Sequence, residues 1–432
     1  MRGRAALLIV ALLAAGCSRR PRANPFDPAN PTTHGRPVGF VALAGNRTVT
    51  LRWEPLASPD LLGYRLERRE QGEAAFQVLA PLLSAGTSSY YDYGAPNGVR
   101  IDYRLSYVFG AGPSPDAASD YAIPGPLRPW VTDVGSGRLV RLTADGRHVA
   151  FTDGGFESPT GVAVDPFQGT VWASDSFTGV VVRYNPSNGD RIEIIGSTTR
   201  PGAIAVDPLK HTAWVCDERQ SAVLQFTLSG APGSPAAVGP VGLPLDVAVD
   251  PQDGTLAVCD NQALRLLQFA PTGGLRWSRA VPRPSRVAID SLTRDAWATS
   301  FQSGVVVRVG FDGTVGDTVR FQGPIGVAVD ARRGRVWVAD ALGGSIVTLD
   351  RSGAVERRIT GFPEVREIAV DLDTGNAWAT VPGDGRVVVV SPDGSLVAQL
   401  GGFVQPYAIA LDPGSPLAVA ARAGAHVDML SP

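Results

Sequence analysis

The sequence predicts an all-β protein in which an antiparallel β-sandwich is followed by a β-propeller. Its 432 residues include 50 Gly and 35 Pro, a composition that favours short strands joined by turns over long helices. In addition, the stretch "PTGVAVDPFQGTVWASD", residues 159–175, returns in altered form as "GPIGVAVDARRGRVWVAD", residues 323–340. Self-similarity of this kind is typical of repeat architectures.

The first residues are expected to be a sorting signal. Arg2 and Arg4 precede the apolar run "AALLIVALLAAG", whose 12 residues are too few to span a bilayer, which needs roughly 20. The run ends in "LAAGCS", residues 13–18, which resembles the lipobox of bacterial lipoproteins. This resemblance implies that residues 1–17 are a lipoprotein signal peptide and that Cys17 is lipidated, so that acyl chains anchor the protein to a membrane.

Two details qualify the lipobox. Ala14 stands where the family prefers Leu, and an ordinary secretory signal is the alternative interpretation. Ser18, which follows the cysteine, resembles lipoproteins that are sent to the outer membrane. We therefore expect an exported protein that is lipid-anchored at the outer membrane, on its periplasmic or surface face.

Residues 18–35, "SRRPRANPFDPANPTTHG", are rich in Pro and Asn and have no apolar periodicity. Such a composition predicts an extended tether between the anchor and the folded part of the chain.

Residues 36–124 alternate apolar and polar residues, with turn signals about every ten residues, as in "TVTLRWEP" and "LGYRLERRE". This pattern predicts an antiparallel sandwich of about seven strands. The segment resembles a fibronectin type III domain: Trp53 matches the core tryptophan of that family, "YRLERR" its third strand and Tyr103 its tyrosine corner. The resemblance implies a spacer. An adhesive role has no local support, because the sequence contains no Arg-Gly-Asp triplet.

The repeats occupy residues 127–432 and align on an aspartate that ends the first strand of each unit. Ala stands two residues before every one of these aspartates, Pro six before in six of seven units, and Trp seven after in five units. The spacing between successive units is 40 to 43 residues. The aspartates are Asp165, Asp207, Asp250, Asp290, Asp330, Asp371 and Asp412.

This register predicts a β-propeller. The strand "VAVD" is apolar on both faces, so it is covered on both sides, and some forty residues suit four short strands. The cadence of residues 324–346 resembles the NHL repeat family. Seven inner strands imply seven blades. Eight is the alternative, because Trp130 and residues 417–430 both fall in segments that resemble second and third strands without a first.

In a propeller, the loops that enter the first strands and those that join the second to the third strands share one face. The residue four before each strand-end aspartate is therefore expected at the channel mouth, and the loops after the Trp strands are expected around it. A few aromatic side chains among polar groups suit a glycan or a peptide, whereas ordinary solvated loops are the alternative interpretation. The candidate ligand-binding residues are Asp246, Arg286, Arg366, Glu367, Tyr407, Phe177 and Phe301.

The functional hypothesis is a non-catalytic cell-envelope lipoprotein whose propeller binds an envelope protein or a glycan, or acts as a scaffold. A net charge of −2 without a basic block argues against nucleic acid. The competing hypothesis is a lactonase- or lyase-like propeller enzyme with its site in the channel mouth. No histidine falls on the channel ring, no zinc spacing or G-x-S-x-G motif appears, and we expect no catalytic residue, metal or cofactor.

Two recurring features receive structural interpretations. The aspartates recur in every unit, as expected of turn caps, whereas a catalytic site would break the symmetry. Cys216 and Cys259 occupy equivalent strand positions, where other units carry Ser, Thr or Ala. Two packed thiols are the favoured interpretation, and a disulfide is the alternative.

Overall fold

The structure is a computed structural model, which describes residues 23–166 and 169–414. These residues form 35 β-strands and two short 3-10 helices, Val134–Ser136 and Pro382–Asp384, which confirms the all-β class. No helix among them is long and apolar enough to cross a membrane. Cys17, the signal peptide and residues 417–430 lie outside the described residues.

The chain divides into two compact units. The described part of the first consists of residues 23–42, Leu51–Tyr90 and Ile101–Tyr121. The described part of the second consists of Leu43–Thr50, Tyr91–Arg100 and most of residues 122–414.

The N-terminal strands form two sheets, and β3 pairs antiparallel with both β4 and β6. A three-stranded sheet has the order β1-β2-β5, and a four-stranded sheet has the order β4-β3-β6-β7. Alternate residues of β6 are buried. Trp53 packs against Tyr64, and the centroids of the two rings lie 5.5 Å apart. The resemblance to fibronectin type III domains stays a prediction. The strands are β1 Val41–Ala44, β2 Val49–Arg52, β3 Gly63–Glu70, β4 Gln77–Ser84, β5 Ser89–Asp92, β6 Ile101–Phe109 and β7 Gly112–Ala122.

The second half of the predicted tether is folded. Residues 25–35 form a series of turns, in which the side-chain oxygen of Asn30 accepts hydrogen bonds from the backbone N–H groups of Thr32 and Thr33 at 2.8 and 3.1 Å. The ring of Phe26 packs edge-on against Tyr107 and Phe109, with centroids 5.2 and 4.7 Å away. Phe26 thus packs this segment against the aromatic core of the first unit. Any extended tether is therefore shorter than the 18 residues that the composition suggested.

The propeller consists of seven four-stranded antiparallel sheets. Six of these blades are continuous in sequence, and we number them 1 to 6. Their strands are β11 Pro159–Asp165, β12 Thr170–Asp175, β13 Val180–Tyr184 and β14 Arg191–Ile195 in blade 1; β15 Pro201–Asp207, β16 Thr212–Asp217, β17 Ala222–Phe226 and β18 Pro232–Val238 in blade 2; β19 Pro244–Val249, β20 Leu256–Asp260, β21 Arg265–Phe269 and β22 Leu275–Ala280 in blade 3; β23 Arg286–Ile289, β24 Ala296–Ser300, β25 Val305–Val309 and β26 Val315–Arg320 in blade 4; β27 Pro324–Asp330, β28 Arg335–Asp340, β29 Ser345–Asp350 and β30 Val355–Thr360 in blade 5; β31 Ile368–Val370, β32 Ala377–Val381, β33 Arg386–Val390 and β34 Leu396–Leu400 in blade 6.

Blade 7 closes the ring with strands from both ends of the repeat region. Its inner strand is β35, Pro406–Asp412, which pairs with β8, Arg128–Asp133, and the sheet continues through β9, Arg138–Leu142, and β10, Val149–Asp153. Trp130 therefore lies in a second strand whose first strand comes from the far end, opposite Ala410. This pairing accounts for the segment that had suggested an eighth blade: the described residues form seven.

Tryptophans fill the gaps between blades. Trp297 of blade 4, only 1 % exposed, clusters with Val336, Val338 and other residues of blade 5. Blade 3 carries Ala257 at the equivalent position, and there Trp277 of the outer strand β22 enters the core shared with blade 4. Large aromatic side chains are needed at these positions because the space between blades widens away from the axis.

The recurrent aspartates are structural caps, as expected. One oxygen of Asp207 accepts hydrogen bonds from the backbone N–H groups of Leu209 and Lys210, at 2.9 and 3.1 Å. Asp217, at the end of a second strand, accepts from the N–H groups of Thr199 and Arg200 in the preceding loop. Cys216 and Cys259 are both buried free thiols, not a disulfide.

Candidate functional site

The seven inner strands line a channel, and the position of a residue along its strand determines which part of the channel it faces. A pocket of about 420 Å³, which we call the outer pocket, opens where the inner strands begin. In every blade, the residue five before the strand-end aspartate lines it. These residues are Thr160, Gly202, Leu245, Ser285, Ile325, Arg366 and Tyr407.

The loops around this ring contribute further polar groups to the outer pocket. Asn261, Phe301 and Gln302 come from turns that join second to third strands. Ser158 and Arg200 come from the loops that enter blades 1 and 2. Hydroxyl, amide and guanidinium groups therefore surround two aromatic rings, those of Phe301 and Tyr407.

The residues four before each aspartate lie one layer deeper than the sequence suggested. Six of the seven line a second cavity of about 170 Å³, which we call the inner cavity. Thr160, Ala203 and Arg286 line both spaces, so the two are neighbours. The six residues are Gly161, Ala203, Asp246, Arg286, Glu367 and Ala408.

An ion pair crosses the inner cavity. Nε of Arg286, from blade 4, donates to Oε2 of Glu367, at the entrance to blade 6, over 2.9 Å. Both side chains are largely buried, at 14 % and 17 % exposure. Between them, blade 5 presents Gly326, where an added Cβ would lie only 2.3 Å from the carbonyl oxygen of Arg366. Burial lowers the pKa of Arg286, but Glu367 and Asp246 raise that pKa by more, so the guanidinium stays charged.

The carboxyl of Asp246 has a pKa well above its usual value. Its Oδ2 accepts a hydrogen bond from the backbone N–H of Val287 at 2.8 Å. Burial, assisted by the negative charge of Glu367, raises the pKa of Asp246 to about 7, against the opposing effects of Arg286 and of the Val287 N–H. This carboxyl can therefore gain or lose a proton near neutral pH.

Arg366 and Tyr407 form a stacked pair in the outer pocket. The guanidinium carbon of Arg366 lies 3.5 Å from the centroid of the Tyr407 ring. Its Nε is buried and has no hydrogen-bond partner, and burial lowers the pKa of Arg366. Thr380 fixes both loops, since its hydroxyl donates to the carbonyl of Tyr407 at 3.1 Å and accepts from the N–H of Glu367 at 3.0 Å.

The structure thus brings together six of the seven candidate residues. Asp246, Arg286 and Glu367 lie in the inner cavity, and Phe301, Arg366 and Tyr407 line the outer pocket, with Arg286 contacting both spaces.

Phe177, the seventh candidate, lines neither space. Asp175 accepts a hydrogen bond from the backbone N–H of Phe177 at 3.0 Å, and in this turn the side chain is 77 % exposed.

Several polar residues of the outer pocket were not among the candidates, namely Ser158, Arg200, Asn261, Ser285 and Gln302. The repeat register carries a signal for Ser285, because counting five residues back from each aspartate gives the outer ring. Asn261 and Gln302 lie in the loops after second strands, which were expected around the channel mouth, whereas Ser158 and Arg200 lie in the loops that enter blades 1 and 2.

The opposite end of the channel is apolar. There a cavity of about 330 Å³ is lined by the residue just before each strand-end aspartate, which is Val, Ile or Leu in all seven blades. Among residues 23–166 and 169–414, no group of three His, Cys, Asp or Glu side chains is placed to hold a metal ion.

Comparisons with known proteins extend the description of the fold. No protein-family model matches the chain, and no curated protein matches its sequence. A functionally unknown protein from Desulfotomaculum acetoxidans is 12 % identical, with a TM-score of 0.56, and the match covers 66 % of this chain and 98 % of that protein.

Two named structures are similar to the same extent. A putative 6-phosphogluconolactonase from Bacteroides uniformis has a TM-score of 0.54 at 12 % identity, over 66 % of this chain and 99 % of that one. A streptogramin B lyase has a TM-score of 0.52 at 13 % identity, over 66 % and 91 % of the two chains. At such low identity these similarities establish the fold alone, and the chain is a β-propeller protein.

Proposed function

We propose that the propeller is a non-catalytic recognition module that binds an envelope protein or a glycan in its outer pocket. The observation that carries this proposal is the set of charges in the inner cavity. At the same strand position, the other four blades carry only Gly or Ala: Gly161, Ala203, Gly326 and Ala408.

Burying charged groups costs folding free energy, even when they are paired. The four uncharged blades indicate that small residues satisfy the fold at this position. The charges of Asp246, Arg286 and Glu367 therefore fit a role in ligand binding better than a role in stability. The polar outer pocket, which meets the inner cavity at Arg286, supports the same proposal.

The test combines Asp246→Asn, Arg286→Met and Glu367→Met in one variant. We expect this variant to be at least as stable as the parent protein, because all three charges of the inner cavity are removed together. The parent and the variant are used to capture ligands from detergent-solubilised envelopes and from envelope glycans. A partner retained by the parent and lost from the folded variant supports the proposal.

Arg320 and Phe177 are exposed and lie outside both spaces, so Arg320→Met and Phe177→Ala serve as matched controls. Equal retention of the partner by the parent and by the triple variant contradicts a site in the channel mouth.

We also propose, from the sequence, that the protein is exported and anchored through a lipid on Cys17 at the outer membrane, with a fibronectin type III-like spacer before an NHL-like propeller. Labelling cells with a fatty acid tests the anchor. Label on the parent but not on a Cys17→Ser variant supports lipidation. Release of unlabelled parent in soluble form indicates an ordinary secretory signal.

The second candidate is a lactonase- or lyase-like enzyme, and the observation that favours it is Asp246. A carboxyl with a pKa of about 7 in a cavity is suited to general acid or base catalysis. Turnover of a cyclic ester that rises or falls through about pH 7, and that Asp246→Asn abolishes without loss of binding, would support this candidate over the first.

A further inference from the structure

Three arginines line the outer pocket, and two of them are neutralised by neighbouring carboxylates. Arg200 pairs with Glu218, with 3.3 Å between Nε and Oε2, and Arg286 pairs with Glu367 at 2.9 Å. Arg366 forms no ion pair with any carboxylate in the described part of the chain. Arg366 is therefore the one arginine of this lining that has no carboxylate in direct contact, although Glu367 lies near enough to favour its charged form.

The environment of Arg366 makes this charge costly. Its Nε is buried without a hydrogen-bond acceptor, and burial lowers the pKa of the group, although an arginine in a protein stays protonated. Leaving a buried donor without a partner destabilises the folded chain. A ligand cannot reach this Nε, but a negative charge placed beside the terminal Nη groups would offset part of the cost of burying the cation.

We propose that the ligand of the outer pocket is a glycan that carries a uronic acid, and that Arg366 binds its carboxylate. This inference rests on the proposed function of the pocket. The ring of Tyr407 restricts the plane of the guanidinium, and because Nε is buried, the terminal Nη groups are the donors left for a planar acceptor. A carboxylate matches these groups with two parallel hydrogen bonds. A carboxylate also carries a single negative charge, which suits one guanidinium, whereas a phosphate monoester would bring nearly two.

The remaining lining favours a sugar over a peptide. Hydroxyl and amide groups of Ser158, Ser285, Asn261 and Gln302 can donate to and accept from sugar hydroxyls, and the ring of Phe301 offers an apolar face. Aliphatic side chains that would anchor a peptide are few. A volume of about 420 Å³ lies in the range of small-ligand pockets.

The test measures binding of galacturonate and glucuronate disaccharides by calorimetry, beside the corresponding neutral disaccharides and a short glutamate peptide. We expect a uronate disaccharide to bind at least ten times more tightly than its neutral counterpart. Arg366→Met should remove this preference, Arg366→Lys should retain part of it, and Arg320→Met, on the exposed strand β26, should change nothing. Thermal unfolding of each variant shows whether it is folded.

The other outcomes overturn the inference in distinguishable ways. Equal binding of neutral and acidic sugars overturns the recognition of a carboxylate by Arg366 and leaves a glycan-binding site. Binding of the glutamate peptide alone overturns the sugar and leaves a recognition pocket. If no uronate disaccharide binds, the inference is wrong, and the capture experiment with the inner-cavity variant decides separately on the proposed function.

Discussion

The two ends of the channel are built by the same seven strands and differ in their chemistry. At one end, the residue before each strand-end aspartate is Val, Ile or Leu in every blade. At the other end, four residues earlier on the same strands, the ring contains Thr, Gly, Leu, Ser, Ile, Arg and Tyr. Uniformity at the first end reflects a requirement that every blade shares. Variety at the second end is what a site for one asymmetric ligand needs.

The largest expected difference is between two aromatic residues of blade 4. Trp297 is fully buried against blade 5, so Trp297→Ala should lower the free energy of unfolding by about 3–5 kcal/mol. Phe301, four residues later, lines the outer pocket, and Phe301→Ala should lower it by less than about 1 kcal/mol. Urea unfolding measures both. Similar losses for the two variants would show that the loop end also holds the blades together.

A smaller difference is expected within the single strand β19. Val249 lies in the apolar ring and Leu245 in the outer pocket. Val249→Asp places a carboxylate among aliphatic side chains and should cost about 1–3 kcal/mol. Leu245→Asp should stay within about 0.5 kcal/mol of the parent, because its neighbours are polar and solvated. Equal costs in urea unfolding would remove the distinction between the two ends.

A third difference concerns pH, and its sign differs between Asp246 and Asp217. The pKa of Asp246 is raised to about 7, so the folded protein binds more protons than the unfolded chain between about pH 4 and pH 7. Asp246 therefore contributes stability that is fully present below about pH 4 and is lost as the pH rises through 7.

Asp217 behaves in the opposite way. Burial raises its pKa, but hydrogen bonds from Thr199, Gln220 and Arg200 outweigh burial and hold the pKa below its usual value. Its contribution is present above about pH 4 and is lost as the pH falls through the folded pKa. The test of Asp246 is urea unfolding at about pH 5 and at about pH 8. The free energy of unfolding should fall less between these two pH values for Asp246→Asn than for the parent protein. An equal fall for the two proteins would mean that the pKa of Asp246 is not raised.

Most of the fold could be predicted from the sequence because every blade has the same structural requirements. Each blade needs an inner strand that is apolar on both faces and a filler between blades, so Ala, Pro and Trp recur in a fixed register. The number of blades was harder to predict. The first strand that pairs with Trp130 lies at the far end of the repeats, and no local pattern links β8 to β35.

The candidate site could be predicted only in part. The register located the ring of Asp246, Arg286 and Glu367, but its depth depends on how the strands enter the channel. Arg286 of blade 4 contacts Glu367 of blade 6 because blade 5, which lies between them, carries only a glycine at this position. Whether two side chains can meet in this way depends on the radius of the channel, which the repeat pattern does not give. The loops that carry Asn261 and Gln302 were expected around the channel mouth, but their residue types differ from blade to blade and do not indicate which of them line the pocket.

Ring closure has a mechanical consequence. In blade 7, Asp412 lies opposite Arg128 and Pro406 opposite Asp133, so the start of β8 and the end of β35 lie side by side, at one end of two antiparallel strands. A force that separates these two points loads one pair of residues at a time, beginning at the ion pair of Arg128 and Asp412, where 2.7 Å separates Nε from Oδ2. Heat must loosen the whole sheet at once. The same closure is therefore strong against temperature and weak against tension applied between its two strands.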